Sequence, residues 1–158
     1  MTLQPIALDP ELDLVFERIV AVPSSQVWRA WTEPDLLKQW FTPAPWRTTL
    51  AELDVRPGGG FRTVMEGPNG ERNDSTGCYL EVIPGKRLVW TDALSPGFRP
   101  SAQAFMTGIV QFTDVDGGTR YTAIARHANV ATKKQHEDMG FHHGWGAALD
   151  QLVALMRG

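Results

Sequence analysis

The 158-residue sequence has a single cysteine, Cys78, which excludes an internal disulfide framework. It also lacks any apolar run long enough for a signal peptide or a membrane span, and any run of Lys or Arg. With 15 basic against 18 acidic residues the net charge is -3, which gives no electrostatic footprint for nucleic acid or for an acidic membrane. A soluble, cytoplasmic protein is expected. Internal repeats, low-complexity tracts and interdomain linkers are missing too, so one domain is expected over 11–158, behind a tail at 1–10 whose prolines and lack of period make it loose.

What the chain does have is aromatic surface, including six tryptophans, which suits either a large aromatic core or an aromatic-lined cavity. The sequence is organised around its last stretch, Ala131 to Arg157, which reads as one amphipathic helix. Stepping by three and four from Trp145 gives Asp138, Phe141, His142, Ala148, Leu149, Leu152, Val153 and Met156, a stripe about 100° wide that must be covered. Thr132 is placed to cap its start, and Lys133, Lys134, His136 and Glu137 to solvate its first turns. Gly140, Gly144 and Gly146 each weaken a helix by about 1 kcal/mol, so their presence points to close packing or a kink.

Upstream, Leu12 to Ala21 is rich in β-branched residues and reads as the first strand. Two short helices follow. Ser24 or Ser25 caps the first, which carries Val27, Trp28, Ala30 and Trp31; Thr32 caps the second, with Pro34 near its start and Leu36, Leu37, Trp40 and Phe41 on its buried side. From Arg47 the spacing is that of successive antiparallel strands: Thr48–Val55, Phe61–Glu66, Arg72–Val82, Arg87–Thr91, Ala104–Thr113 and Thr119–Ala128. Pro57-Gly58-Gly59-Gly60, Pro68-Asn69-Gly70, Pro84-Gly85 and Asp114 to Gly118 punctuate them. Ala93 to Gln103 is the one long irregular insertion, and Phe98-Arg99 within it suits a cavity cover or an oligomer contact such as a homodimer. Strands grouped together with helices segregated give an α+β architecture.

The run Pro23-Ser24-Ser25-Gln26-Val27-Trp28-Arg29-Ala30-Trp31-Thr32, with Pro34, Leu36 and Trp40-Phe41, resembles the opening of the START-like (SRPBCC, Bet v-like helix-grip) superfamily. The branch it is similar to is the activator of heat-shock-protein-90 ATPase homologues. Pro57-Gly58-Gly59 with Phe61-Arg62, Asn69-Gly70, Gly77 with Glu81-Val82, Pro84 with Arg87-Leu88, Gly118-Thr119 with Thr122, and Gly144-Trp145 with Leu149 and Leu152 extend the likeness over nearly the whole chain. The resemblance implies a helix-grip fold: a curved antiparallel sheet of six or seven strands around the C-terminal helix, with a deep hydrophobic cavity between them. It implies binding of a small hydrophobic or aromatic molecule, with two alternatives. One is a cofactor-independent enzyme of cyclase, dehydratase or hydrolase type; the other is a protein-interaction module that contacts a chaperone and needs a filled core and an exposed patch.

Strand alternation nominates the residues that face the helix. Phe61, Thr63 and Met65 share one face; Leu88, Trp90 and Asp92 a second; Met106, Gly108, Val110 and Phe112 a third; Tyr121, Ala123, Ala125 and His127 a fourth. Ligand contacts are expected from Phe61, Met65, Trp90, Met106, Tyr121, His127, Phe141 and Trp145, with Gly108 leaving space that a larger side chain would fill. Asp138 and His142, at i and i+4, form the one acid/base pair suited to catalysis, a carboxylate orienting an imidazole. No cofactor is expected, and no metal, because His136, Glu137, His142 and His143 do not make an H-E-x-x-H pair and Cys78 is alone.

Overall fold

The computed structural model describes residues 3–157; Met1 and Thr2 of the expected tail, and the closing Gly158, lie outside the described residues. Strand β1 (Asp13–Val20) is followed by helices α1 (Ser24–Thr32) and α2 (Pro34–Leu37), then by β2 (Arg47–Leu53), β3 (Gly60–Glu66), β4 (Arg72–Ile83) and β5 (Arg87–Thr91). After the two-residue strands β6 (Leu94–Ser95) and β7 (Arg99–Pro100) come β8 (Thr107–Val115), β9 (Gly118–Arg126), α3 (Val130–Asp138) and α4 (Phe141–Arg157).

Seven strands form one antiparallel sheet in the order β1-β9-β8-β5-β4-β3-β2. From β2 to β9 it is a meander, and its tight turns fall where glycine supplies a left-handed backbone, at Gly70, Gly85 and Gly117. Helices α1 and α2 carry the chain from one edge strand, β1, to the other, β2, which closes the sheet around α4. The inner face buries Phe61, Leu88, Val110, Phe112, Tyr121 and Ala123 against Leu149 and Leu152. This is the expected α+β helix-grip architecture.

Three local expectations are corrected. The C-terminal segment is two helices, because Gly140 takes φ +91 and ends the first. Capping differs throughout: Asn129 caps α3 by accepting from Thr132 N at 2.8 Å, Pro23 precedes α1 with no side-chain cap, and Glu33 precedes α2. Thr32 instead donates its hydroxyl back to Trp28 O at 2.7 Å. The insertion at 93–103 holds the β6–β7 hairpin, docked by Gly97 N donating to Gly58 O at 2.8 Å, with the Phe98 ring over Gly58 and half exposed.

Residues 3–10 carry no strand or helix, and hydrogen bonds tie them to the rest of the domain. Arg87 donates to Gln4 O, Arg126 to Ala7 O at 2.9 Å and Lys133 to Pro10 O at 3.1 Å. Arg87 and Arg126 alternate with the inward-facing Leu88 and Ala125, so these bonds lay the tail across the outer face of the sheet.

Candidate functional site

Between the sheet and the C-terminal helices lies a cavity of about 430 Å³. Its sheet wall is Phe61, Thr63 and Met65 on β3, Ser75 and Gly77 on β4, Trp90 on β5 and Tyr121 on β9. Asp92 and the segment Phe105-Met106 leading into β8 extend that wall. Trp31, Trp40 and Phe41 close one side, and His136, Met139, Phe141, Gly144, Trp145 and Ala148 form the helical side. The period-2 reading of the strands therefore places Phe61, Met65, Trp90, Met106 and Tyr121 on the cavity wall, and Phe141 and Trp145 join them from α4.

The three helical glycines have three separate uses. Gly140 breaks the helix, and Gly146 lets α4 lie against β1, since a Cβ there would sit 3.1 Å from Arg18 and 3.5 Å from the Phe16 ring. At Gly144 a Cβ would meet only Pro43 Cγ, at 4.0 Å, so this glycine thins the helix where it borders the cavity. Gly108 is a correction: it opens no space, because the Trp90 indole lies on it and a Cβ would fall 2.4 Å from the ring. Gly108→Ala is expected to lift that ring and to cost about 1–3 kcal/mol, the usual range for overpacking. Urea unfolding checks this, and an unchanged midpoint would mean that the indole has room to move.

The catalytic pair is not brought together. Asp138 is exposed and pairs with Lys134 at 3.2 Å, while His142 is exposed and sits 3.2 Å from Val15 O through Nε2. The break at Gly140 separates the two residues onto different helices, α3 and α4. On one continuous helix His136 lies about 180° from Trp145 and Asp138 shares its face, at about 100° per residue; the interruption resets the phase, turning His136 inward and Asp138 outward.

His136, expected in solvent, is instead buried on the cavity wall. It is only 7% exposed, in a box of Phe105, Phe141 and Trp145 rings with centroids 4.7, 5.1 and 6.5 Å away. His127 does not line the cavity but stands behind it: its Nε2 lies 2.9 Å from His136 Nδ1, and its Nδ1 lies 2.8 Å from Leu12 O. Burial, and then the neighbouring His127, lower the His136 pKa to about 4, so the ring is neutral at pH 7.

The remaining polar groups are few. Tyr121 Oη accepts from Trp31 Nε1 at 3.2 Å, and burial pushes its phenol well above the ordinary range, so it keeps its proton. Asp92 Oδ1 accepts from Phe105 N at 2.8 Å and Met106 N at 3.1 Å, which fixes the carboxylate and the strand entry together. Thr63 and Ser75, paired across β3 and β4, add hydroxyls. Gln151 ties α4 to the region after α2 by donating to Trp40 O and Thr42 O, both at 2.9 Å. The result is an apolar box with a handful of fixed polar points, the usual make-up of a small-molecule site.

The family described as Activator of Hsp90 ATPase homolog 1-like protein matches residues 21–157. Among solved structures, the chain is similar to a Nitrosomonas europaea protein at 47% identity and TM-score 0.93, covering 95% of this chain and 97% of that one. A Mycobacterium smegmatis protein matches at 28% identity and TM-score 0.78, over 92% of this chain and 91% of that one. An AHSA1-like protein from Aeromonas hydrophila, at 23% identity and TM-score 0.68 over 90% of each chain, shares the fold. No curated protein matches.

Proposed function

Since the chain belongs to the Activator of Hsp90 ATPase homolog 1-like family, we propose that it works by holding one small, largely apolar or aromatic molecule between sheet and C-terminal helices. The observation that carries this reading is the cavity itself, about 430 Å³ within a range of roughly 300–1,000 Å³ common for ligand sites, walled by aromatic rings and methionines. Burial of the ligand's apolar surface supplies affinity at about 25 cal/mol per Å², and His136 and Tyr121 supply orientation. A chaperone-binding module with a filled core has no use for such a space. A soluble, cytoplasmic setting fits this reading, and none of the helices in the described residues is long and apolar enough to cross a membrane.

Enzymatic use of the same cavity is the weaker reading. With its pKa lowered to about 4, His136 is a poor general base at neutral pH, where an efficient one titrates close to the working pH. Its geometry suits holding a ligand better than removing a proton from one.

Gly144→Leu tests the proposal. The site tolerates a Cβ, the substitution relieves about 1 kcal/mol of helix penalty, and the new side chain occupies the cavity margin. The variant is expected to fold at least as stably as the parent and to bind naphthalene at least tenfold more weakly, read from quenching of the cavity tryptophans Trp31, Trp40, Trp90 and Trp145. Unchanged binding in a folded variant would overturn the proposed location.

A further inference from the structure

We infer that the cavity selects aromatic molecules bearing a hydroxyl or N–H donor, which bonds to His136 Nε2; this rests on the binding function proposed above. Hydrogen-bond bookkeeping along three groups fixes the polarity. Leu12 O is a carbonyl and can only accept, so the ring nitrogen facing it at 2.8 Å, His127 Nδ1, carries a hydrogen. A neutral imidazole has one N–H, so His127 Nε2 is left as an acceptor. Its partner at 2.9 Å, His136 Nδ1, must then donate. His136 in turn has one N–H when neutral, and that hydrogen is already committed, so Nε2 presents a lone pair. Among the described residues His136 Nε2 has no hydrogen-bond partner, and its ring lies on the cavity wall between Phe105, Phe141 and Trp145.

The chain Leu12 O, His127, His136 thus carries the direction of a backbone carbonyl through two rings to the cavity surface. A ligand acceptor placed against that lone pair is repelled, whereas a phenolic O–H or an aromatic N–H satisfies it. The surrounding rings stack on or edge against a flat molecule, which makes a phenol or a nitrogen heterocycle with an N–H the matching class. His127, absent from the cavity surface, is a positioning residue: it holds the tautomer of the ring that touches the ligand. The lowered pKa of His136 is consistent with this, because a neutral ring is required.

Two measurements test the inference. Long-range proton–nitrogen NMR on the full chain at pH 7.5 reports which nitrogen of each imidazole is protonated, and both His127 and His136 are expected in the Nδ1–H form. An Nε2–H form of His136 would overturn the inference with no ligand present. In titrations, the ratio of 2-naphthol to naphthalene affinity is expected to be at least tenfold higher in the parent than in His136→Phe, which keeps an aromatic ring and loses the acceptor. A merely structural role for His136 would weaken both probes alike and leave the ratio unchanged. If both probes bind the parent with the same ratio as the variant, the donor preference is wrong and the cavity reading stands. Failure of both to bind the parent overturns the cavity reading and the preference with it.

Discussion

Trp31→Ala is expected to remove about 3–5 kcal/mol of folding stability, the usual cost of deleting a large buried aromatic. Trp31 is 2% exposed and sits where α1 meets the inner face of the sheet. Its ring packs against Trp40, Trp90 and Phe41 with centroids 5.0, 5.3 and 5.7 Å away. Its Nε1 donates to Tyr121 Oη, joining α1 to β9. The residue is also part of the cavity wall, so its loss joins new empty space to a cavity already present, and the neighbours have little to collapse onto. Against a typical total of about 5–15 kcal/mol for a domain, this is a large share. Trp31→Phe separates the contributions: it keeps most of the packing and loses the hydrogen bond, for an expected cost of about 1–2 kcal/mol. Urea unfolding of both variants checks this, and a loss below about 1 kcal/mol for the alanine variant would show that the wall is already loosely packed.

The strands were legible because their signals are local. Pro68-Asn69-Gly70, Pro84-Gly85 and the turn before Gly118 declare hairpins within a few residues, and the register beside each follows from the turn, shifting only farther along β4, between Tyr79 and Glu81. Once register is set, a period of two sends Phe61, Trp90 and Tyr121 inward regardless of what happens elsewhere. A helical phase has no such protection. One interruption at Gly140 moves every residue before it relative to those after it, so the face read outward from Trp145 was correct at Phe141 and wrong at His136 and Asp138, whereas His142, on the same helix as Trp145, lies about 60° round from it and reaches Val15 O on β1. Glycine as the helix-ending signal was present in the sequence, at a position two residues beyond Asp138. What could not be read was the tertiary detail: that the Trp90 indole takes the room above Gly108, that Asp92 is spent on two backbone N–H groups, and that the tail is pinned by Arg87 and Arg126.

The same buried histidine pair makes stability depend on pH. In the unfolded chain His136 titrates near its ordinary 6.5, whereas in the folded protein its pKa is lowered to about 4. Between these values the unfolded state binds more protons, so stability is fully present above about pH 6.5 and falls as the pH drops towards 4. Linkage sets the size of this effect at about 2 kcal/mol by pH 5 and about 3 kcal/mol near pH 4. The groups around the ring explain why nothing offsets it: the neighbouring His127 disfavours a charge on His136, Phe105, Phe141 and Trp145 cannot stabilise a cation as water does, and the Asp92 carboxylate on the cavity wall is already held by Phe105 N and Met106 N. Urea unfolding at pH 7.5 and pH 5 is expected to show the loss in the parent and most of it abolished in His136→Phe. Equal acid sensitivity in the two proteins would place the acid-labile group elsewhere. A ligand that donates to the Nε2 lone pair competes with the proton for the same site, so 2-naphthol is expected to lower the pH at which folded His136 is protonated, read from its imidazole NMR signals, while naphthalene, which stabilises the fold at every pH without engaging that nitrogen, is expected to leave that pH unchanged.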